Sequence, residues 1–512
     1  TLASTIAMSG GTLDADNSST LSGTLTQAGN ITIDVADDKT LTYSGSAISL
    51  GANTLTLSGG GSLVSGGLTL DNASSKLVLN SITVDNVSTS HASLGLDVDD
   101  NSTVTSLTVG HTTPVSIASS KTLSGAITVT AGSIKLDETG TLASTIAMSG
   151  GTLDADNSST LSGTLTQAGN ITIDVADNKT LTYSGSAISL GANTLTLSGG
   201  GALSNTNALV LNHASSKLLL NSITVDNVST SHASLGLDVD NDSTVSSLSV
   251  AHITPVSIAS GSTLSGAITV TAGSIKLGEA GTLASSISMS GGTLDADNSL
   301  TVSGALTQSG DTTIDVLDNK TLTYSGAPLS LGANTLTMSG GGTFYNSYNL
   351  TLSAESILKL NGIEKVEKVY VSENLTNGFI DVNENTTIQT FSQTKSSRID
   401  IADGKSLTLT DTFEVPADQT MEFFGSGGGT INIGDNLTLS GILKLNAQNN
   451  TLGNGKLVFN NGLLDVDEDT TISTEIFLAD NASMDLANGK QLSLTKTFQV
   501  PHGQKLEMIG TG

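Results

Sequence analysis

The residues best equipped for chemistry are aspartates that recur in pairs. Asp14 and Asp16 alternate with Leu13 and Ala15, Asp97 and Asp99 flank Val98, and Asp465, Asp467 and Asp469 follow one another in LDVDED. Successive side chains of an extended strand leave opposite faces, so with Leu13 and Ala15 turned inward Asp14 and Asp16 share the outer face. Carboxylate oxygens in a field of negative charge suit Ca²⁺. One reading therefore places that ion between stacked Asp-rich corners, with Asp14, Asp16, Asp97, Asp99, Asp465, Asp467 and Asp469 as candidate ligands. The other is a solvated acidic surface without any cofactor. The chain has no G-G-x-G-x-D nonapeptide and no EF-hand loop with its glycine and closing glutamate, which weighs toward the second.

Carboxylates on one outer face also suit acid–base cleavage of a glycosidic bond. Such a site would want neighbouring Arg, Lys or His and aromatic platforms, and residues 1–281 contain neither Arg nor Trp. No catalytic residue is assigned. His91 and His111 stand 20 residues apart, as do His232 and His252. If 20 residues make one turn of a coil, each pair could share a transition metal, but no third ligand is evident and surface histidines are the simpler reading. Gly404-Lys405-Ser406 imitates the end of a phosphate loop, yet the position that needs the first glycine is Ile399. Thr-x-Thr at 24/26, 40/42 and 54/56 raises ice binding. Apparent turn lengths of 15 to 28 residues look too uneven for a lattice match.

Composition narrows the partners. The chain has 512 residues, 47 acidic against 19 basic, a net charge of −28, 3% aromatics, no Cys, no Trp and a single arginine, Arg398. A polyanion with one guanidinium and few rings lacks phosphate forks and stacking platforms, so nucleic acid is not an expected partner. No apolar run approaches the ~20 residues of a membrane helix, and none resembles a signal peptide, so this stretch is not expected to insert. The absence of cysteine excludes disulfides and thiolate metal sites.

The elements that must position these residues are set by repetition. Residues 1–61 and 141–201 are almost identical, Asp38 becoming Asn178, and a third copy starts at Thr282. The period is 140 and then 141 residues, the additional one falling between Gly61 and His91 or its counterpart. Matching at polar and apolar positions alike points to tandem duplication, with length as the product. Within a copy, apolar-x-apolar phrases end in turn residues and resume with Thr-Leu, as in LDADNSSTL and IDVADDKTL. Anchors at Ala15, Val35, Leu50, Leu70, Val98, Ile117, Leu136 and Ala155 average about 20 residues apart, seven turns per copy. Short β-branched strands broken by Asp, Asn, Gly and Ser corners at that spacing predict an all-β, elongated parallel β-helix, or β-solenoid. About 25 turns stacked at ~4.8 Å give a rod of roughly 120 Å. The stretch IEKVEKVY (363–370) alone is ambiguous between helix and strand. A string of β-sandwiches would want a buried aromatic in each domain, and the first two copies offer only Tyr43 and Tyr183.

The organisation reads as copy one (1–140), copy two (141–281), a partial copy three (282–362) and a divergent stretch (363–512) with its own repeat of 84–85 residues. All nine Phe follow residue 343, which suggests a fatter core there. The chain opens and closes inside repeated phrases, at Thr1 and Gly512, and so reads as a segment of something longer.

Rungs such as DNKTLTYSG, DGKSLTLTD and GANTLTLSG resemble those of large bacterial surface adhesins, the autotransporter passengers and filamentous-haemagglutinin-like exoproteins. The resemblance covers the whole chain as a rung pattern and carries over no site residue. It implies a right-handed helix in a secreted or cell-surface fibre. The expected function is that of a noncatalytic extracellular stalk or fibre, its partners surface or matrix components or the glycans and proteins of neighbouring or host cells. The alternative is a structural filament or sheath that polymerises end to end.

Overall fold

The structure, a computed structural model, describes residues 1–425 and 428–510. Ser426-Gly427 of the EFFGSGGG phrase, and the Gly512 at which its later counterpart stops, lie outside the described residues. Every named element is a β-strand, and among the described residues there is no helix. Strands pair in parallel with strands about 21 residues further along, a β-solenoid of about 24 turns. The chain divides into two compact units, Thr1–Leu248 and Ser249–Gly512.

In the first unit a turn is built from three short strands, such as Thr12–Ala15, Ser19–Leu21 and Leu25–Gln27, followed on the next turn by Ile31–Val35, Thr40–Tyr43 and Ile48–Ser49. In places the second and third strands merge, as in Ser102–Val109 and Thr122–Val129. Alternation sends every other side chain inward. The inward residues pair with their like on the next turn, Ile33 with Leu57, Leu57 with Leu79, Leu79 with Val98 and Val98 with Ile117, none more than 3% exposed. Each turn thus satisfies the backbone groups of its neighbour while extending one apolar column.

The second unit repeats the arrangement in Thr293–Ala296, Leu300–Val302 and Leu306–Gln308 and the turns after them. The ambiguous IEKVEKVY is a strand, Lys365–Val371, with Val366, Val369 and Val371 buried. Val369 and Val371 alternate with Tyr370 at the strand period of two, while two partly exposed residues, Glu367 and Lys368, separate Val366 from Val369, a spacing that imitates a helical one.

The corners carry the expected left-handed residues. Asp38, Asn178 and Asn319 hold φ of 59°, 58° and 59° at the same place in three copies, which explains why Asp and Asn interchange there. The few aromatics of the early copies close the core at its polar side. The Tyr43 and Tyr183 hydroxyls accept from the backbone N–H groups of Leu25 (3.1 Å) and Leu165 (3.2 Å), and in the second unit Tyr324 accepts from Leu306 (3.0 Å).

Two expectations need correction. Leu50 and Leu70 do not belong to the strand stack that carries Val35 and Val98; they accompany a different strand pair, Ile48–Ser49 with Leu68–Leu70. The apparent 15- and 28-residue turns mixed two columns, and the register offsets run instead from 19 (Leu79 to Val98) to 24 (Ile33 to Leu57). Uneven turns thus do not argue against a Thr array, but Thr26, Thr42 and Thr56 stand on three separate strands. Nor do all the phenylalanines enlarge the core. Phe344, Phe391, Phe413, Phe423 and Phe459 are buried, while Phe379 and Phe424 are half-buried on the outer face and Phe477 is 48% exposed.

Candidate functional site

Parallel register stacks equal positions of successive turns, so an outward aspartate meets whatever its counterpart one turn away carries. In the first unit Lys135 pairs with Asp154, and Asp154 with Asp174. The Lys135 ammonium bridges Asp156 and, at 3.6 Å, Asp154, while the Ser198 hydroxyl donates to Asp174 from the far side. The second unit rebuilds this ladder. Lys276 reaches Asp295 at 3.4 Å and Asp297 at 2.7 Å, Asp295 pairs with Asp315, and Ser339 donates to Asp315. Copy one shows the carboxylate and serine rungs, Asp14 paired with Asp34 and Ser58 donating to Asp34.

Electrostatics follow from this stacking. Burial pushes the Asp154 and Asp295 carboxyls above the ordinary aspartate range, with Lys135 and Lys276 opposing and neighbouring carboxylates adding to the rise. Hydrogen bonds to Asp156 and Asp297 hold the two ammonium groups above the usual lysine range. The arrangement binds lysine to carboxylate and relieves like-charge contact along the outer face.

Each candidate Ca²⁺ ligand can now be placed. Asp14, Asp16 and Asp99 are exposed. Asp97 is paired to Lys76. Asp465 and Asp467 both face the Lys444 ammonium, at 3.2 and 2.6 Å, and Asp469 accepts from the Gln491 backbone N–H at 2.9 Å. Burial pushes Asp465 up, against the hydrogen bond from Lys444. Among the described residues no group of three or more His, Asp or Glu is placed to hold a metal ion. A lysine ammonium occupies the position that a cation between Asp465 and Asp467 would take.

Two histidines that the 20-residue spacing does not single out come together. His213 and His232 stack with ring centroids 6.5 Å apart and planes 18° from parallel. His213 Nδ1 accepts the Ser215 backbone N–H at 3.0 Å, and His232 Nδ1 donates to the Ala233 carbonyl at 2.6 Å. The neutral rings are therefore opposite tautomers, with one free lone pair between them, on His232 Nε2, which does not suit a shared metal. His213 replaces Asn72 of copy one, whose Oδ1 accepts the Ser74 N–H in the same way. Asn and His can both cap this corner through an acceptor atom; the stacking depends on the register between turns.

Sequence reasoning also passed over the surroundings of Arg398. Its guanidinium lies 4.2 Å from the Phe424 ring centroid, Nε donates to Glu422 at 3.0 Å, and Phe379 meets Phe424 edge-on at 5.5 Å. Asp381 and Asp400 are paired across adjacent turns, and burial, then Asp381, pushes Asp400 up. This is an acidic pair of the kind acid–base chemistry uses, but the arginine is turned to Glu422 and Phe424. A lone arginine was the only available signal.

No family model matches the chain, and neither a curated protein nor a solved structure matches it.

Proposed function

We propose that the chain is a noncatalytic, extracellular spacer, a stalk or fibre segment of a bacterial surface adhesin. The observation that carries this reading is the ladder Lys135–Asp154–Asp174–Ser198 and its rebuilt counterpart Lys276–Asp295–Asp315–Ser339. Charged groups that could serve a substrate are bound to one another, and the same solution recurs in successive copies. A catalytic cleft gains nothing from near-identical duplication, whereas a spacer gains a fixed length with each copy. The rung resemblance supports the surface location, and the partners that fit are surface or matrix components or the glycans and proteins of facing cells, met weakly and repeatedly.

Negative-stain electron microscopy of the purified chain tests this. Isolated thin rods are the expected result. Indefinite fibres of uniform width would overturn the spacer in favour of an end-to-end polymer.

A further inference from the structure

The three copies differ most at one corner, and that corner differs in what it presents. In copy one the strands Ser62–Ser65 and Leu68–Leu70 are joined by Gly66-Gly67. In copy two Ala202–Asn205 and Leu209–Leu211 are joined by Thr206, Asn207 and Ala208. In copy three Thr343–Asn346 and Leu350–Leu352 are joined by Ser347, Tyr348 and Asn349. The additional residue of the 141-residue period sits here. The outward strand residue before the corner changes from Val64 to Ser204 to Tyr345, while Leu63, Leu203 and Phe344 behind it stay buried.

Copy three therefore carries two aromatic rings on one corner, Tyr345 43% and Tyr348 48% exposed. The other four tyrosines are accounted for: Tyr43, Tyr183 and Tyr324 are buried with bonded hydroxyls, and Tyr370 bonds Thr394 at 3.0 Å. Among the described residues neither Tyr345 nor Tyr348 has a ring, cation or hydrogen-bond partner for its side chain.

The backbone beneath them is fixed from inside. Asn346, 1% exposed, donates through Nδ2 to the carbonyls of Tyr348 and Lys368, both at 2.7 Å, and accepts the Lys368 N–H at 3.1 Å. The Lys368 ammonium caps the Ser347 carbonyl at 2.8 Å, and the Ser347 N–H bonds the Tyr324 carbonyl at 2.9 Å. A rigid corner that presents two free rings loses little entropy on binding.

We propose that this corner binds a neutral saccharide chain, with Tyr345 and Tyr348 as stacking platforms for pyranose rings. The flanks decide the ligand class. Tyr345 pairs with Thr323, Ser347 and Asn349 flank Tyr348 in the chain, and the Lys368 ammonium bonds the Ser347 carbonyl, so polar groups border the corner. A protein hot spot would want apolar neighbours that exclude water, whereas a sugar offers a C–H face to the ring and hydroxyls to the polar flank. Polyanionic glycans and nucleic acids meet a chain of net charge −28. The proposal is independent of the spacer reading, because it concerns one corner and not the length of the chain.

Saturation-transfer NMR on the full chain tests it, with maltohexaose, cellohexaose and the neutral N-acetylglucosamine hexamer as probes at up to about 10 mM, where a millimolar Kd is measurable. Saturation should reach the ring C–H protons of at least one probe. Tyr345→Ala with Tyr348→Ala should weaken that probe about tenfold or more, while the double Phe variant retains it, since the ring face and not the hydroxyl does the binding. Both side chains are exposed, so the circular dichroism of the variants should match the parent. Failure of all three probes to bind, binding that survives the double Ala variant, or tighter binding of a hyaluronan hexasaccharide than of any neutral probe would each overturn the proposal.

Discussion

Asp154, Asp295 and Asp465 show how stacking changes the chemistry of a single carboxylate. All three are pushed up chiefly by burial, so the folded state holds their protons more tightly than the unfolded chain does. Stability then falls as pH rises through the raised folded values and is greatest below the ordinary aspartate value of 3.8. Asp100 has the opposite sign, lowered by its hydrogen bond to Lys121, and its contribution is lost only as pH falls below that same value. Acidification from pH 7 to about 4.5 should therefore raise the thermal midpoint. Differential scanning calorimetry checks this, and Asp154→Asn with Asp295→Asn should flatten the slope. A midpoint that falls over the same window would contradict the stacked-carboxylate account. The outward placement of these aspartates was legible in the alternation with Leu and Ala. Their lysine partners were not, because Lys135 and Asp154 meet only once the register between turns is known.

At the scale of strands and corners, the apolar-x-apolar phrases translated directly into inward columns, and the Asp and Asn corners into left-handed turns. Alternation marks an inward residue without saying which of three strands it serves, so spacing alone does not separate Leu50 and Leu70 from the neighbouring strand stack. The phenylalanines are ambiguous in the same way: a large apolar residue predicts burial, but Arg398 and Phe379 hold Phe424 on the outer face. Some corners also depend on close approach between turns. Gly199 has φ of 106°, and a Cβ there would lie 2.3 Å from the Val175 carbonyl oxygen. Gly261 has φ of 88° with nothing within 4 Å. Gly199→Ala should cost about 2–4 kcal/mol, from backbone strain plus the clash, and Gly261→Ala only about 1 kcal/mol from strain alone. Denaturant midpoints of the two variants separate the effects, and equal costs would contradict the stacking distance at the Gly199 corner.

For the molecule as a whole, duplication and charge belong to one account. Near-identical copies add turns, and the acidic skin, bound locally by lysines such as Lys76, Lys135 and Lys276, keeps outward β-surfaces soluble. The fold class could be read from the 20-residue rhythm because every turn repeats the same constraint. The aromatic corner of copy three could not, because it is a departure from the repeat and not part of it. The central claim is that each copy contributes a fixed number of stacked turns to a spacer, and deletion of residues 141–281 with the particle length read by electron microscopy tests it most directly. Seven turns at ~4.8 Å each predict a folded chain shorter by about 34 Å with unchanged width. Loss of folding, or a length that does not change, would contradict it.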